Sequence, residues 1–178
     1  MELNGELRGT CVSLRTLCED DVGEAYARWM NDPDVVRYTE SRFASHSVEE
    51  LRRYVAAVRR DPDALFLAMI APRVGHIGNI KLGPIDRAHA TGDIGLLIGE
   101  KEWWGKGCAS EAIRLISDHA FVALGLEKLT AGVYAPNVGC IKAFERAGFE
   151  REGVQRGRAR FEGGRVDVVL VGKLKAAA

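Results

Sequence analysis

The fold is decided by one stretch of the sequence: Asp93-Ile-Gly-Leu-Leu-Ile98-Gly-Glu-Lys-Glu-Trp-Trp-Gly105-Lys-Gly107-Cys-Ala109. Its first six residues predict a strand, and the apolar residues of 107–121 recur at helical spacing. A strand that leads through glycines into a helix leaves several backbone N–H groups unpaired at the helix start. Gly105 and Gly107 lack the Cβ atoms that would hold a phosphate oxygen at a distance. The stretch therefore predicts a cradle for a phosphate or pyrophosphate.

Two common phosphate-binding motifs do not fit this stretch. A P-loop reads G-x-x-x-x-G-K-[ST], but Gly99 lies one residue too far from Gly105, and Gly107 stands where the hydroxyl belongs. A dinucleotide fingerprint needs a third glycine where Ser110 stands, and no βαβ unit opens here. The sequence thus favours another kind of phosphate site.

The residues before this stretch predict a strand over 12–17 and two helices. Asp20 is the expected N-cap of the first helix, and the capping box Ser47-Val-Glu-Glu50 opens the second. An irregular segment over 34–46 separates them. Three apolar runs predict an antiparallel meander, with a turn at 83–86. These runs are 65–70, 75–82 and 91–98.

The residues after the stretch complete an α+β layout. They predict a strand over 129–133, a helix over 137–147, and a hairpin of strands 156–161 and 166–170 joined by Gly163-Gly164. The order of the elements predicts a mixed, mostly antiparallel central sheet with helices on both faces. At 178 residues, the chain is expected to form a single domain over 1–178.

Charge balance limits the classes of partner. The chain has 25 basic and 25 acidic side chains, and this zero formal charge disfavours binding to nucleic acid or to an anionic membrane. The charges are unevenly spread, since residues 1–50 carry 5 basic and 11 acidic side chains. Two interpretations stay open: solvated helix faces, or an anionic ligand held by the later part and a cationic group met by the earlier part.

Compartment and metal content are also predicted from composition. No apolar run approaches the roughly 18 residues of a spanning helix, and the start does not resemble a signal peptide, so a cytoplasmic location is expected. The four cysteines form no C-x-x-C pair and share no ligand spacing with the four histidines. Neither a structural metal nor a disulfide framework is expected.

A second constellation follows the strand at 129–133. It reads Asn137-Val-Gly-Cys140-Ile-Lys-Ala-Phe144-Glu-Arg-Ala-Gly148-Phe149, and Asn137 also suits an ordinary N-cap. Together, residues 93–149 resemble the GNAT acyl-CoA N-acyltransferase superfamily, whose pyrophosphate loop reads [QR]-x-x-G-x-[GA] and whose next helix opens N-x-x-S and ends Gly-Phe. Looser similarity at 29–38, 78–80, 152–153 and 163–167 looks like the branch of ribosomal-protein N-terminal acetyltransferases, and amino-sugar N-acetyltransferases share it.

The resemblance implies a fold, an activity and a set of contacts. It implies the GNAT fold and direct transfer of an acetyl group from acetyl-CoA, with no metal, to a primary amine: a protein N-terminus, or a small amine or amino sugar. The sequence leaves the oligomeric state open, a homodimer included. The residues that the resemblance assigns to acetyl-CoA are Leu96, Leu97, Ile98, Gly105, Lys106, Gly107, Cys108, Ala109, Asn137 and Phe144.

Three positions depart from the family pattern. Glu102 stands at the Gln or Arg position, which leaves Lys106 and backbone amides to hold the anion. Cys140 stands at the Ser position, and Phe144 stands where many members have a proton-donating Tyr. Cys140 is therefore the candidate acid, since an ordinary thiol has a pKa near 8.5, with a covalent nucleophile or a small buried hydrophobe as alternatives.

The resemblance further implies a base and an acceptor wall. Asp93 opens the strand where several members carry an acidic base, with Glu40 and His76 in reserve. Acceptor contacts are assigned to a set around the irregular segment and to one histidine: Trp29, Tyr38, Arg42, Phe43 and His76. Two other functions stay open, a non-catalytic acyl-CoA-binding or sensing module and a nucleotide-phosphate-binding protein.

Overall fold

Eight strands form one sheet in the computed structural model, which describes residues 1–176. The strands are β1 Glu6–Arg8, β2 Ser13–Thr16, β3 Leu65–Ala71, β4 Gly75–Asp86, β5 Thr91–Ile98, β6 Lys128–Tyr134, β7 Glu150–Phe161 and β8 Gly164–Leu174. The helices are α1 Glu24–Asn31, α2 Pro33–Val36, α3 Val48–Arg60, α4 Cys108–Val122 and α5 Val138–Arg146. Short 3-10 helices cover Glu19–Asp21, Glu40–Phe43 and Lys101–Trp103.

The sheet is antiparallel except at one junction. The spatial order is β1-β2-β3-β4-β5-β6-β8-β7, and β5 with β6 is the parallel pair. That pair is short: Thr91, Gly92 and Asp93 pair with Lys128, Leu129 and Thr130, and no register is kept beyond them. Because β5 continues to Ile98 and β6 to Tyr134, the two strands separate into a V-shaped gap.

Alternation along the strands sends apolar side chains to both faces of the sheet. On one face, residues such as Leu67 and Val133 pack with Ile113 and Ile116 of α4 and Phe144 of α5. On the other face, a second cluster joins the N-terminal half of the sheet to α1 and α3. Its buried members are Leu17, Val22, Tyr26, Trp29, Leu51, Val55, Phe66 and Ala68. The predicted α+β sheet with helices on both faces is confirmed.

Elements with strong local signals lie where the sequence predicts them. β5 spans Thr91–Ile98 as predicted, and α3 follows Ser47 with both halves of its capping box formed. α4 and α5 agree with their predicted bounds within two residues, and the Asn137 side chain caps α5 by accepting from the Cys140 amide. These boundaries follow from caps and from apolar spacing within each segment.

Three predicted boundaries are wrong. Asp20 does not cap a helix: it lies in the 3-10 turn Glu19–Asp21, and α1 begins after Gly23. The segment 83–86 is not a turn, because β4 continues to Asp86 with a register shift between Leu82 and Ile85. The segment 34–46 is only partly irregular, since it contains most of α2 and a 3-10 turn. The sequence also missed β1 and the full length of the β7–β8 hairpin.

The expectation of no disulfide is also contradicted. Cys11 and Cys108 form a disulfide across a sequence separation of 97 residues, with their Cα atoms 5.4 Å apart. The contact arises because the turn between β1 and β2 meets the first residue of α4, which spacing along the chain could not reveal. Among residues 1–176, no helix is long and apolar enough to cross a membrane.

Candidate functional site

The predicted phosphate cradle lies where the loop after β5 enters α4. Gly105 and Gly107 have φ angles of +74° and +85°, a region that L side chains rarely adopt. A Cβ at either position would meet no protein atom within 4 Å, so the space beside both glycines is open. Gly107 is the N-cap of α4 and supplies no side-chain cap, so N–H groups of the first turn remain for a ligand. An open, uncapped helix start of this kind suits an anion.

The loop also brings a cation and an aromatic pair to this helix start. The Lys106 ammonium lies 4.9 Å from the centre of the Trp103 ring. The indole N–H of Trp104 donates to the Ile98 carbonyl oxygen at 2.8 Å, which fastens the loop to the end of β5. Lys101, in contrast, is bound by the carboxylates of Asp32 and Asp34. Lys106 is thus the lysine of this loop that is placed to meet an anion.

A buried carboxylate fixes the same end of α4. The Glu111 side chain is 9% exposed and accepts hydrogen bonds from the backbone N–H groups of Thr10, Cys11 and Val12 at 2.6–2.8 Å. The Thr10 hydroxyl donates to it as well, at 2.8 Å. Burial raises the pKa of Glu111, but these hydrogen bonds outweigh that effect and leave its pKa below the ordinary value. Together with the Cys11–Cys108 disulfide, they join the helix start to the turn between β1 and β2.

A cleft of about 800 Å³ lies on the same face of the sheet as α1 and α3. Thr130, Gly132 and Tyr134 of β6 line it, as do Val168 and Leu170 of β8, because these residues alternate with the core-facing ones. Further lining residues come from β5, from the 3-10 turn at 40–43 and from β7: Asp93, Glu40, Phe43, Glu152, Gln155, Arg158 and Arg160. A volume of this size is ordinary for a small-molecule site.

Asp93 lies in this cleft at the point where β5 and β6 begin to separate. The Thr130 hydroxyl donates to its Oδ2 at 3.1 Å. Burial raises the pKa of Asp93, and the Thr130 hydrogen bond and the Lys81 charge lower it by less, so its pKa stays above the ordinary value. A half-buried carboxylate of raised pKa, fixed by one hydrogen bond, is suited to accept a proton.

A second polar cluster borders the cleft, and its central residue, Tyr134, was not among the predicted site residues. The Tyr134 hydroxyl donates to the Glu40 carboxylate and accepts from Arg42 at 3.0 Å. Arg42 also donates to the Arg160 carbonyl oxygen at 2.7 Å, which ties the 3-10 turn to β7. Burial, followed by the hydrogen bond to Glu40, raises the pKa of Tyr134. Its alternation with Thr130 along β6 was the one signal that could have found it.

The predicted acceptor residues divide between the cleft and the interior. Phe43 lines the cleft and is 64% exposed, and Arg42 joins the Tyr134 cluster. Tyr38 stacks on Phe161 at the edge of β7, with ring centres 5.3 Å apart. Trp29 is buried and His76 is half-buried, the two rings pack edge to face at 5.0 Å, and neither residue is among those that line the cleft.

The remaining predicted residues lie along the gap and beneath it. Leu96, Leu97 and Ile98 belong to the part of β5 that has left β6. Cys108 is fully buried with its sulfur in the disulfide, so its side chain is not available to a ligand, and Ala109 is partly buried against the core.

Two predicted residues of α5 are poorly suited to proton transfer. Phe144 is 1% exposed and packs edge to face on Phe149. Burial raises the pKa of Cys140 to about 12, and a thiol that holds its proton so firmly is a weak acid toward an ordinary thiolate. Among residues 1–176, no group of three or more His, Cys, Asp or Glu side chains is arranged to hold a metal ion.

Comparison with known proteins gives the same architecture. Residues 12–150 match the family described as "Acetyltransferase (GNAT) domain". "Probable N-acetyltransferase YjcK" of Bacillus subtilis (strain 168) is 34% identical over 116 residues, which cover 65% of this chain and 64% of that protein. The match therefore spans slightly less than two thirds of YjcK.

Solved structures with the same fold cover nearly the whole chain. The spermidine N-acetyltransferase of Vibrio cholerae, solved with CoA and spermine, is 23% identical with a TM-score of 0.83, covering 93% of this chain and 96% of that one. The ribosomal-protein-S5-alanine acetyltransferase of Vibrio fischeri is 20% identical with a TM-score of 0.83, covering 96% and 97%. Because both sequences are less than 25% identical to this chain, these two comparisons show a shared fold only.

Proposed function

The chain belongs to the GNAT acetyltransferase family, whose co-substrate is acetyl-CoA, and from that premise we propose that it transfers the acetyl group directly to a primary amine bound in the 800 Å³ cleft. One observation carries this proposal. β5 and β6 stop pairing at Asp93 and Thr130, and the same two residues line the cleft. The gap that suits the co-substrate and the cleft that suits the acceptor therefore meet at a carboxylate.

The residues along the gap fit acetyl-CoA. Beyond Asp93, the peptide groups on the free edge of β5 have no strand partner and can bind the polar atoms of an extended arm. The open helix start at Gly107, with Lys106 beside it, suits a pyrophosphate. Acetyl-CoA, when bound, supplies the activated acyl group. Backbone N–H groups on the free edge of the segment Leu96 to Ile98 are the proposed donors that polarise its carbonyl.

Asp93 is the proposed general base. An amine attacks only in its neutral form, so the cleft needs a group that takes a proton from the ammonium. The raised pKa of Asp93 brings this carboxylate closer to neutral pH, where a base exchanges protons most effectively. The Thr130 hydroxyl fixes the Oδ2 atom and leaves Oδ1 for the amine or for a water. Glu40 lines the same cleft and is the second carboxylate to test.

Two isosteric variants test the proposal. Asp93→Asn is expected to lower kcat by about 100-fold or more, in the usual range for loss of a general base, with little change in the Kd for acetyl-CoA. Glu40→Gln is the matched control: its side-chain oxygen can still accept the hydrogen bond from the Tyr134 hydroxyl, and the variant is expected to retain most of kcat. Equal losses in both variants, or full activity in Asp93→Asn, would remove Asp93 from the proposed role.

A non-catalytic acyl-CoA sensor is the second candidate, because the α5 positions offer no good acid. Phe144 has no titratable group, and the pKa of Cys140 is about 12. A sensor would bind acetyl-CoA without consuming it when amines are present. Turnover with any amine, together with the absence of a stable acetyl adduct on the protein, would exclude both the sensor and a Cys140 nucleophile.

A further inference from the structure

Five charged side chains line the acceptor cleft: Glu40, Asp93, Glu152, Arg158 and Arg160. Three carboxylates face it, and two have polar partners on the protein: Tyr134 donates to Glu40, and Lys128 pairs with Glu152 at 2.7 Å. The third, Asp93, is the proposed base, held by Thr130. Arg158 and Arg160 also line the cleft, and neither has a carboxylate within 4.0 Å among residues 1–176. Arg158 and Arg160 are therefore cations of the cleft that have no acidic partner on the described residues, and Asp93 is a carboxylate of the same cleft that has no basic partner within 4.0 Å there.

A β-bulge in β7 contains Arg158, and Arg160 follows it in the paired part of the strand. Gln155 pairs with Val168 and Ala159 pairs with Val166, so β7 has two more residues than β8 between these two pairs. Such bulges re-aim side chains, and they are enriched beside functional sites. The conformation of the bulge is fixed by hydrogen bonds. Gly157 has a φ of +56°, and its N–H donates to Asp167 Oδ1 at 2.7 Å. Arg165 donates to the carbonyl oxygens of Gly157 and Arg158 from the neighbouring strand.

The two ends of the cleft are well separated. Three inter-strand spacings of about 4.8 Å lie between β5, which carries Asp93, and β7, a distance of about 14 Å across the strands. The register adds an offset along the strands: Asp93 is level with Gly172 of β8, whereas Ala159 of β7 is level with Val166, about 20 Å further along at about 3.3 Å per residue. Arginine side chains reach inward and shorten the span available to a ligand. An amino acid with its own carboxylate beside the amine is too short to bridge it, so an anion bound at the arginines must lie several bonds from the amine.

We propose that the acceptor amine carries an anionic group, a carboxylate or a phosphate, several bonds from its amine, and that Arg158 and Arg160 bind this anion while the amine lies at Asp93. This inference rests on the proposed function and names the substrate class of the same site. Arginine suits this role because its guanidinium binds carboxylate and phosphate with two parallel hydrogen bonds. The acceptor class thus differs from the polyamine in the Vibrio cholerae structure.

The proposal is tested with matched pairs of amines, one anionic and one neutral, by measuring how fast each amine releases CoA thiol from acetyl-CoA. The first pair is the peptide amide Ala-Ala-Glu-Ala against Ala-Ala-Gln-Ala, and the second is glucosamine 6-phosphate against glucosamine. Spermidine is the cationic arm. We expect kcat/KM to be about tenfold or more higher for the anionic member of at least one pair, since hydrogen bonds to charged groups contribute that much. The pair that responds identifies the source of the anion.

Three variants separate charge recognition from structure. Arg158→Gln combined with Arg160→Gln should abolish the preference for the anionic amine while kcat/KM for its neutral partner changes by less than about threefold. The corresponding Lys replacements should restore part of the preference, and raising the salt concentration should reduce it. Arg156→Gln is the control, because Arg156 lies in the same bulge but does not line the cleft.

The outcomes are distinguishable. Equal kcat/KM for anionic and neutral amines, a preference for spermidine, or an anion preference that survives the double variant would each overturn the inference and leave acetyl transfer standing. If no amine of any charge releases CoA thiol from bound acetyl-CoA, the proposed function itself fails.

Discussion

Removing the Glu111 carboxylate should loosen the end of α4 that is proposed to bind pyrophosphate. Glu111→Ala removes the acceptor of four hydrogen bonds, three from the backbone of residues 10–12 and one from the Thr10 hydroxyl. Thr10 is exposed and its groups regain water, but Val12 is buried, so its N–H stays without a partner. An unsatisfied buried group costs about 1–3 kcal/mol, and the lost charged hydrogen bonds bring the total to about 3 kcal/mol.

Urea unfolding measures this loss, and calorimetric titration measures the Kd for acetyl-CoA. Glu111→Ala should lower the free energy of unfolding by about 3 kcal/mol and weaken acetyl-CoA binding. Arg114→Ala is the control, because Arg114 is 56% exposed and meets Glu111 only at 3.5 Å, so its loss should cost less than about 1 kcal/mol. Equal and small losses in the two variants would show that Glu111 does not hold this end of α4.

The pH dependence gives a second check on the same carboxylate. Its folded pKa lies below the ordinary value near 4.3, so its contribution is complete above about pH 5 and is lost as the pH falls through the folded pKa. The parent should therefore lose stability more steeply than Glu111→Gln as the pH falls below about 5. Identical slopes would mean that the carboxylate is not held as described.

Other consequences are open to direct measurement. Asp93→Asn should remove the acid limb of the kcat profile, which in the parent falls as the pH drops through a pKa above the ordinary Asp value; an unchanged limb would assign the base elsewhere. Lys106→Gln should raise the Kd for acetyl-CoA several-fold and flatten its salt dependence, whereas Lys101→Gln, in the same loop but bound to two carboxylates, should not. Gly105→Ala should cost about 1–2 kcal/mol, because its φ is +74°, and should weaken acetyl-CoA binding; unchanged affinity would mean that the cradle lies elsewhere. Thiol titration of denatured, unreduced protein should find two of the four cysteines free, and a count of four would contradict the disulfide.

Local signals predicted most of the fold. Asn137 and Ser47 cap their helices as expected, because a cap is a contact between neighbours in the chain. The prediction for Asp20 is wrong because the neighbouring acidic residue has a tertiary partner. Asp21 binds Arg15 at 2.6 Å and the Cys18 amide at 2.8 Å, which holds a 3-10 turn and delays the helix. Such a partner from another element leaves no trace in helical spacing.

The candidate site was less predictable from the sequence, because it depends on which faces of the helices and strands pack against each other. The glycine loop could be placed from its pattern, since its conformation is local. Trp29 and His76 were expected at an acceptor wall, yet they pack on each other outside the cleft, and this contact depends on how α1 packs against β4. Tyr134 and Arg158 enter the cleft through strand register and a bulge, and both depend on pairing with β8.

Acetyl transfer itself is tested by incubating the purified protein with acetyl-CoA and each amine of the panel, and by measuring both released CoA thiol and acetylated amine by mass. We expect amine-dependent release, with one acetylated amine formed for each CoA thiol and no acetyl group retained on the protein. Binding of acetyl-CoA with no amine-dependent release across the panel would contradict the proposed acetyltransferase activity.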